Sequence, residues 1–506
     1  MNIVALIALI AWPAAAVLLS MWLRAPRSVV ACCIAAWLFL PSAGMDLAGP
    51  LDLSKTNVTS LGLLLALIVF DPTRLTTLRF SWLDAPMAAL CVSPFFSSVT
   101  NGLGAYDGLA ESVTSLFSWG VPWLVGRACF RSLEDLRVLA IGIILGGLVY
   151  LPLCLYEIRM SPQLHRIVYG FFPHAEFAQT RRFGGFRPNV FMNHGLMVGL
   201  WMCLAGVAAF WMWWGGRLKH ILHVPMLLLV PIQAGVAILC KSAGAVAVSA
   251  GGVMALLATR WLRTRLVLAA LAIFPVAFVG YRAVGGPTDF LVRAVQSMPV
   301  IAERTDSLDY RLEADAILLN HAMKRPLFGW GGHGRHRPVN DAGEELVRTD
   351  SMWIIILGQN GLLGLATLYV SLCLPLLVVA RRLPVGVLLA PSGAAAVVCA
   401  ILPTLFAIDS IFNAMPNPVY ILAGGGAMSV ALAARPKHRL VRATSAAAEF
   451  ETDEPARADD ANDAGGSVAD GEAQSPKSRD RLAEAMRDLR SRPPTDRPVP
   501  ALRDGQ

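Results

Sequence analysis

Charged side chains are scarce in this chain: Asp, Glu, Lys and Arg make up 15% of its 506 residues, against 55% that are apolar. A soluble domain carries about 25% charged residues. The few charges sit in short clusters between uncharged runs, many of which reach the ~18 residues that mark a membrane-spanning helix. That pattern excludes a soluble enzyme and leaves a chain that crosses a membrane many times.

Other shortages narrow the reading. The nine cysteines fall almost entirely inside apolar runs, none lies in the large polar loops, and no pair has metal-ligand spacing. A disulfide framework and a zinc site are therefore not expected, and the thiols read as small buried hydrophobes. The N-terminus lacks the basic segment of a cleavable signal peptide, so residues 3–23 read as a retained first helix. RNP, zinc-finger and helix-turn-helix signatures are missing too. The net charge of +8 therefore points to membrane orientation rather than to nucleic acid.

What is present is an all-α, polytopic helix bundle of about 12–14 spans over residues 1–440. Thirteen candidates run over 3–23, 28–43, 58–71, 82–99, 113–129, 136–156, 191–214, 221–240, 242–259, 264–282, 352–380, 384–406 and 418–434. Residues 221–259 carry one charge, Lys241. As a single helix they would measure about 58 Å, nearly twice the bilayer core, so the chain must turn at Lys241-Ser242-Ala243-Gly244. With thirteen spans, seven basic clusters share one face: Arg24/Arg27, Arg74/Arg79, Arg131/Arg137, Arg217/Lys219, Arg260/Arg263/Arg265, Arg381/Arg382 and Arg435–Arg439. The positive-inside rule makes that face cytoplasmic, with the N-terminus outside and the C-terminus inside.

Two outer loops stand apart. Residues 157–190 carry five arginines against Glu157 and Glu176, a basic loop on the disfavoured side. Within it, Arg181, Arg182 and Arg187 flank glycines and lead through Pro188 and Asn189 to Asn193-His194-Gly195. Guanidinium forks suit phosphate oxygens, and Asn189 or Asn193 is placed to cap the following helix. The alternative is interfacial arginines reaching lipid headgroups. The second loop, 283–350, contains an amphipathic stretch near Tyr310–Met323, with Leu312, Ala316, Leu319 and Ala322 at helical spacing. Pro326 limits that helix.

Within the second loop Arg311 has Asp309 and Asp315 as potential partners. Asp350, before the next span, fits either an N-cap or a general base at the membrane edge. His333 and His336 form H-x-x-H, which without further ligands suits acidic or sugar groups, or an ordinary loop, better than zinc. Lys241 either faces the site or anchors at the interface, and Asp409 reads as loop-exposed. Residues 441–506 hold 14 acidic and 10 basic residues and few large apolar ones, so they read as a disordered cytoplasmic tail, solvated or serving a cytoplasmic partner.

Four stretches, in order, resemble the O-antigen ligase/polymerase superfamily of bacterial envelope glycan enzymes. They are Arg182–Asn189 running to Asn193-His194-Gly195; Lys241-Ser242-Ala243-Gly244-Ala245; Arg311 through Pro326-Leu327-Phe328-Gly329-Trp330-Gly331; and Asp350-Ser351 followed by Gly361-Leu362-Leu363-Gly364. The resemblance implies a multi-pass glycan transferase of the inner membrane facing the periplasm, without a cofactor or metal. Its donor would be an undecaprenyl-pyrophosphate-linked saccharide and its acceptor a glycan hydroxyl. Asp350, Arg311 and Arg187 would be catalytic, with Arg181, Arg182, His194, Lys241, His333 and His336 binding substrate. Family ligases carry a histidine at the place of Asp350, a departure that suits a polymerase-like member acting on exopolysaccharide at least as well as a ligase. A transporter or flippase of lipid-linked glycan is the rival from another class. It calls for half-repeats and midplane charges that the sequence does not display.

Overall fold

The computed structural model describes residues 1–434 apart from 46–48, 50, 175–176, 289, 291–292, 294–304, 342 and 348. The expected disordered tail and the Arg435–Arg439 cluster lie outside the described residues. Among the described residues the helices are α1 (Ile3–Trp22), α2 (Arg27–Phe39), α3 (Lys55–Phe70), α4 (Thr73–Thr76), α5 (Ala85–Thr100), α6 (Ala105–Ser115), α7 (Val121–Cys129), α8 (Leu133–Met160) and α9 (Leu164–Tyr169). They continue with α10 (Gly195–Trp214), α11 (Met226–Leu239), α12 (Ala243–Trp261), α13 (Leu266–Ala283), α14 (Thr305–Ala322), α15 (Met352–Arg382), α16 (Val385–Leu389), α17 (Ala394–Asp409) and α18 (Pro418–Ala433). Three two-residue antiparallel hairpins complete the regular structure: β1–β2 (Gly44–Met45 and Leu53–Ser54), β3–β4 (Arg181–Arg182 and Gly185–Phe186) and β5–β6 (His220–Ile221 and Val224–Pro225). The protein is a multi-pass membrane protein: eight helices are long and apolar enough to cross a bilayer, and four shorter apolar ones accompany them. Helices α6 and α7, where a further pass is expected, run into one another through a π-helical segment, Leu116–Gly120.

Basic clusters from separate loops meet at one end of the bundle. Arg131 donates to the carbonyl of Arg74, Glu134 pairs with both Arg137 and Arg217, Arg265 donates to the Arg381 carbonyl, and Arg260 to that of Leu389. Such convergence requires an even number of passes between successive clusters, as the thirteen-span count supposes. Local capping sets several helix starts. Ser132 and Asp135 form a reciprocal capping box at α8, and Asn417 caps α18 through the Val419 N–H.

Between helices in a bilayer, close van der Waals packing takes the place of hydrophobic exclusion, and small residues permit it. At the α7–α18 contact a Cβ on Gly126 would meet the Leu422 carbonyl oxygen at 2.3 Å, and one on Gly425 would meet the Trp123 carbonyl oxygen at 2.4 Å. Both backbones touch because neither position has a side chain. Helices α17 and α18 are buried along nearly their whole length, and all nine cysteines are buried and free.

Three expected spans differ most from the fold. The pass expected from residue 113 begins at Ala105. The one expected from 384 begins at Ala394, because the preceding residues form α16 and a 3-10 turn. The longest, α15, is broken: Gly361 has φ 65° and ψ −165°. As one rod its 31 residues would reach about 46 Å, well beyond the hydrocarbon core. The break leaves residues 352–360 as a separate segment ahead of a span of ordinary length.

Candidate functional site

The basic segment before α10 is shaped by its own backbone and by a buried carboxylate. Phe183 and Gly184 both have positive φ, the requirement of a tight two-residue hairpin turn, and they close β3 onto β4. Lys241, itself in the left-handed region between α11 and α12, donates from Nζ to the carbonyls of Arg182 (2.9 Å) and Phe183 (3.4 Å). A Cβ on Gly185 would lie 2.3 Å from that ammonium, so glycine admits the staple. Lys241 therefore faces the hairpin backbone.

Arg187, 3% exposed, donates from Nη2 to the Lys241 carbonyl at 2.9 Å, and its stem lies against Gly195, where a Cβ would meet Cδ at 2.3 Å. The next residues are held from below. Glu157, fully buried in the last turn of α8, accepts from the N–H groups of Asn189 (2.8 Å), Val190 (2.7 Å) and Leu164 (2.8 Å). Lys55, also buried, donates to the Phe191 carbonyl at 2.9 Å. Arg182 is half-buried and Arg181 exposed.

His194, rather than Asn189 or Asn193, caps α10: its Nδ1 accepts from the Leu196 N–H at 3.0 Å. Burial, reinforced by the charge of Arg187 and then by His174, Arg182 and Arg311, lowers its pKa to about 3. The ring is thus neutral at pH 7. With Nδ1 accepting, the proton resides on Nε2, which donates to Gln179 Oε1 at 3.2 Å.

In the second loop, α14 covers the expected Tyr310–Met323 stretch up to Ala322, but its buried face differs. Ala314, Asp315, Leu318 and Ala322 point inward together with Leu312, and Ala316 is exposed. Arg311 pairs with neither Asp309 nor Asp315. Its Nη1 donates to the Phe412 carbonyl (3.2 Å) and its Nη2 lies 4.0 Å from Asp350 Oδ2. Asp350 is 61% exposed in its side chain, and Ser351 occupies the helix-cap position in its place. Asp315 instead faces inward at 2% exposure and accepts from Thr349 Oγ1 (3.0 Å) and Trp353 Nε1 (3.2 Å), with Arg282 4.0 Å away. Burial raises its pKa to about 6. Asp409, expected in an exposed loop, is 4% exposed at the end of α17 and accepts from Asn413 Nδ2 at 3.1 Å.

The glycine-rich loop builds structure. Trp330 and Gly331 donate to the carbonyls of Gly358 (2.8 Å) and Gln359 (2.9 Å), while Leu362 and Leu363 donate to those of Pro326 (2.7 Å) and Leu327 (3.3 Å). The loop thus supplies partners for the backbone groups freed where α15 breaks. A Cβ on Gly361 would meet the Leu327 carbonyl oxygen at 2.3 Å, and one on Gly329 would meet Gln359 at 2.6 Å. His333 and His336 diverge. His333 lies beside Asp107 (3.3 Å) and Glu111 (3.6 Å) of α6, and His336 is buried against Gly358, where burial and then Arg337 lower its pKa to about 4.

Sequence reasoning missed Glu157, Asp315 and Lys55 as organisers of this region. Their signal was an ionisable group at the end of an apolar run or on the inner face of α14, which calls for a partner.

No curated protein matches the chain. A family model for O-antigen ligase matches residues 232–369, a stretch that runs from α11 into α15 and contains Lys241, Arg311 and Asp350. Over that stretch the chain is similar to the O-antigen ligase family.

Proposed function

We propose that this protein is an inner-membrane glycosyltransferase whose active face is periplasmic and whose donor is a saccharide on undecaprenyl pyrophosphate. The acceptor hydroxyl, on a growing chain or another glycan, attacks the anomeric carbon. The bond from that carbon to the pyrophosphate oxygen breaks, and the new glycosidic bond forms. Arg187, Arg182 and Arg311 receive the charge of the departing pyrophosphate, so the transfer needs no metal. Asp350 orients the acceptor and takes the hydroxyl proton. Arg181 adds positive charge at the rim. His194, held neutral, is suited to donate from Nε2 to a glycan or phosphate oxygen in exchange for Gln179. Lys241 positions Arg182 and Arg187 through its own backbone and ammonium contacts.

One observation carries this reading: Arg311, at the head of α14, lies 4.0 Å from Asp350, the carboxylate placed to take the acceptor proton. Placed cations are worth most where charge develops during reaction, and losing one such contact costs about 3 kcal/mol, or about a hundredfold in rate.

The test is deletion of the gene, with analysis of surface polysaccharide and lipid-linked intermediates, followed by complementation. Accumulated short lipid-linked units indicate a polymerase, and complete but unattached polymer a ligase. Loss of substrate from the outer leaflet would replace the enzyme by a transporter. Arg311→Ala and Arg187→Ala are expected to give no polymer at normal protein level. Near-normal polymer in both would remove the site assignment.

A further inference from the structure

Helices α5 and α6 meet the first segment of α15 and the Gly331–His333 backbone around a cavity of about 250 Å³ that the proposed reaction leaves unused. At roughly 30 Å³ for each water, it holds about eight waters. Its lining has a definite chemistry. Its lining residues include Thr114 and Ser118, which carry hydroxyls, Gln359 and Asn360 with carboxamides, Glu111 with a carboxylate and Trp119 with an indole. No lysine or arginine lies among its described lining residues, so it is a poor phosphate site. A purely apolar occupant would leave those hydroxyls and amides unpaired. A neutral pyranose satisfies both halves of the lining, with hydroxyls paired by amides and carboxylate and an apolar ring face against the indole.

The mouth is built to stay in place. A Cβ on Gly332 would lie 2.8 Å from Glu111 Oε1, so this backbone runs close against the carboxylate. His333 then contacts Asp107 and Glu111, and Arg335 lies 3.5 Å from Asp107. The first segment of α15 links cavity and reaction site directly. Asp350 precedes one end of it, and Gln359 and Asn360 line the cavity at the other, about 13 Å away at helical rise.

We infer that this cavity is a saccharide subsite: it holds a neutral sugar residue of the glycan a short distance from the reacting hydroxyl and so sets how the chain is presented. The inference rests on the transferase reading. Binding energy gathered at a remote sugar can be used to orient the reacting one.

The test uses full-length protein in nanodiscs. Ser118→Cys places a thiol in the cavity of a protein whose nine native cysteines are all buried, and a small neutral thiol reagent reads its accessibility. The probe is oligosaccharide released by mild acid from the cell's own surface polysaccharide, with inorganic pyrophosphate as the comparison. Labelling should slow about tenfold when the oligosaccharide is at roughly ten times its Kd. Pyrophosphate should have no effect. Absence of labelling, absence of protection by oligosaccharide, or protection by pyrophosphate would each overturn the inference. In cells, Thr114→Val with Ser118→Ala should shift the polymer to shorter chains at normal protein level. If Arg311→Ala abolishes polymer while this pair leaves chain length unchanged and no saccharide protects, the subsite alone fails. If Arg311→Ala and Arg187→Ala keep normal polymer, the transferase site fails whatever the cavity binds.

Discussion

Replacing Asp315 by Asn tests the argument that this carboxyl group is a buried fastener for the segment carrying Asp350. Burial raises its pKa from 3.8 to about 6. Because the folded value lies above the unfolded one, the folded protein holds a proton that the unfolded chain has released between about pH 4 and pH 6. Stability contributed by this group is present below that window and falls as pH rises through it. The gap of about two units corresponds to about 3 kcal/mol. An Asn can keep both hydrogen bonds, since its oxygen accepts from the Trp353 indole and its amide donates to Thr349, whose hydroxyl accepts as readily as it donates. Thermal unfolding of the purified full-length protein in detergent, from pH 4 to pH 8, should show Asp315→Asn gaining about 3 kcal/mol on the wild type between pH 4 and pH 7, then no more. Asp315→Leu leaves the indole and hydroxyl donors unpartnered and should lose both stability and polymer formation. A stability difference between wild type and Asp315→Asn that is flat from pH 4 to pH 7 would refute the buried-fastener argument.

Other expectations rest on separate parts of the fold. Gly361→Ala should lower thermal stability by more than the roughly 1–3 kcal/mol of backbone strain, because the added Cβ also strikes the Leu327 carbonyl. A melting temperature equal to wild type would show that α15 does not need its break. Glu157→Gln replaces three accepted N–H bonds by fewer, and an orphaned buried N–H costs about 1–3 kcal/mol. Reduced stability together with reduced polymer is expected, and normal values for both would contradict the support role. His194→Asn keeps a side-chain cap for α10, whereas His194→Ala should cost about 1 kcal/mol. Since the wild-type ring stays neutral down to about pH 3, neither variant should remove an inflection between pH 5 and pH 8 from the rate profile. Loss of such an inflection would mark His194 as a proton-transfer group.

The multi-pass membrane class and the apolar helices were legible because apolar length is a local property of the chain. Details that depend on tertiary partners were not. The unbroken apolar run 352–380 conceals the break at Gly361, since an apolar glycine in a span carries no hydropathy signal. Its cause, the Pro326–Gly331 backbone inserted beside it, lies about thirty residues earlier. Asp409 looked like a loop residue because a carboxylate at the end of a span ordinarily reaches water, yet Asn413 provides a hydrogen bond one turn later and the residue remains inside. For α14 the apolar spacing suggested a face through Ala316. Asp315 took the inward position because Thr349 and Trp353 offer it donors, and a satisfied polar group outweighs one methyl. The resemblance brought Arg311 and Asp350 together as site residues, but their 4.0 Å approach is a tertiary fact.

The two arginines central to the proposal share one device. Arg187 donates to the carbonyl of Lys241, just beyond the end of α11, and Arg311 to the carbonyl of Phe412, just beyond the end of α17. Helix C-terminal ends expose carbonyls that lack intrahelical partners and carry the negative end of the helix dipole. A carbonyl anchor of this kind fixes the direction of a guanidinium without cancelling its full charge, as a buried carboxylate would. Two backbone carbonyls beyond helix ends thus fix the directions of the two guanidiniums. The same reasoning explains why Lys would be a poor substitute for Arg187: an ammonium is a single point donor, and one that holds the Lys241 carbonyl has no planar fork left to meet a phosphate oxygen. Arg187→Lys should therefore retain protein level yet lose most polymer. Wild-type polymer in that variant would mean that positive charge alone, and not the anchored fork, is what the site requires.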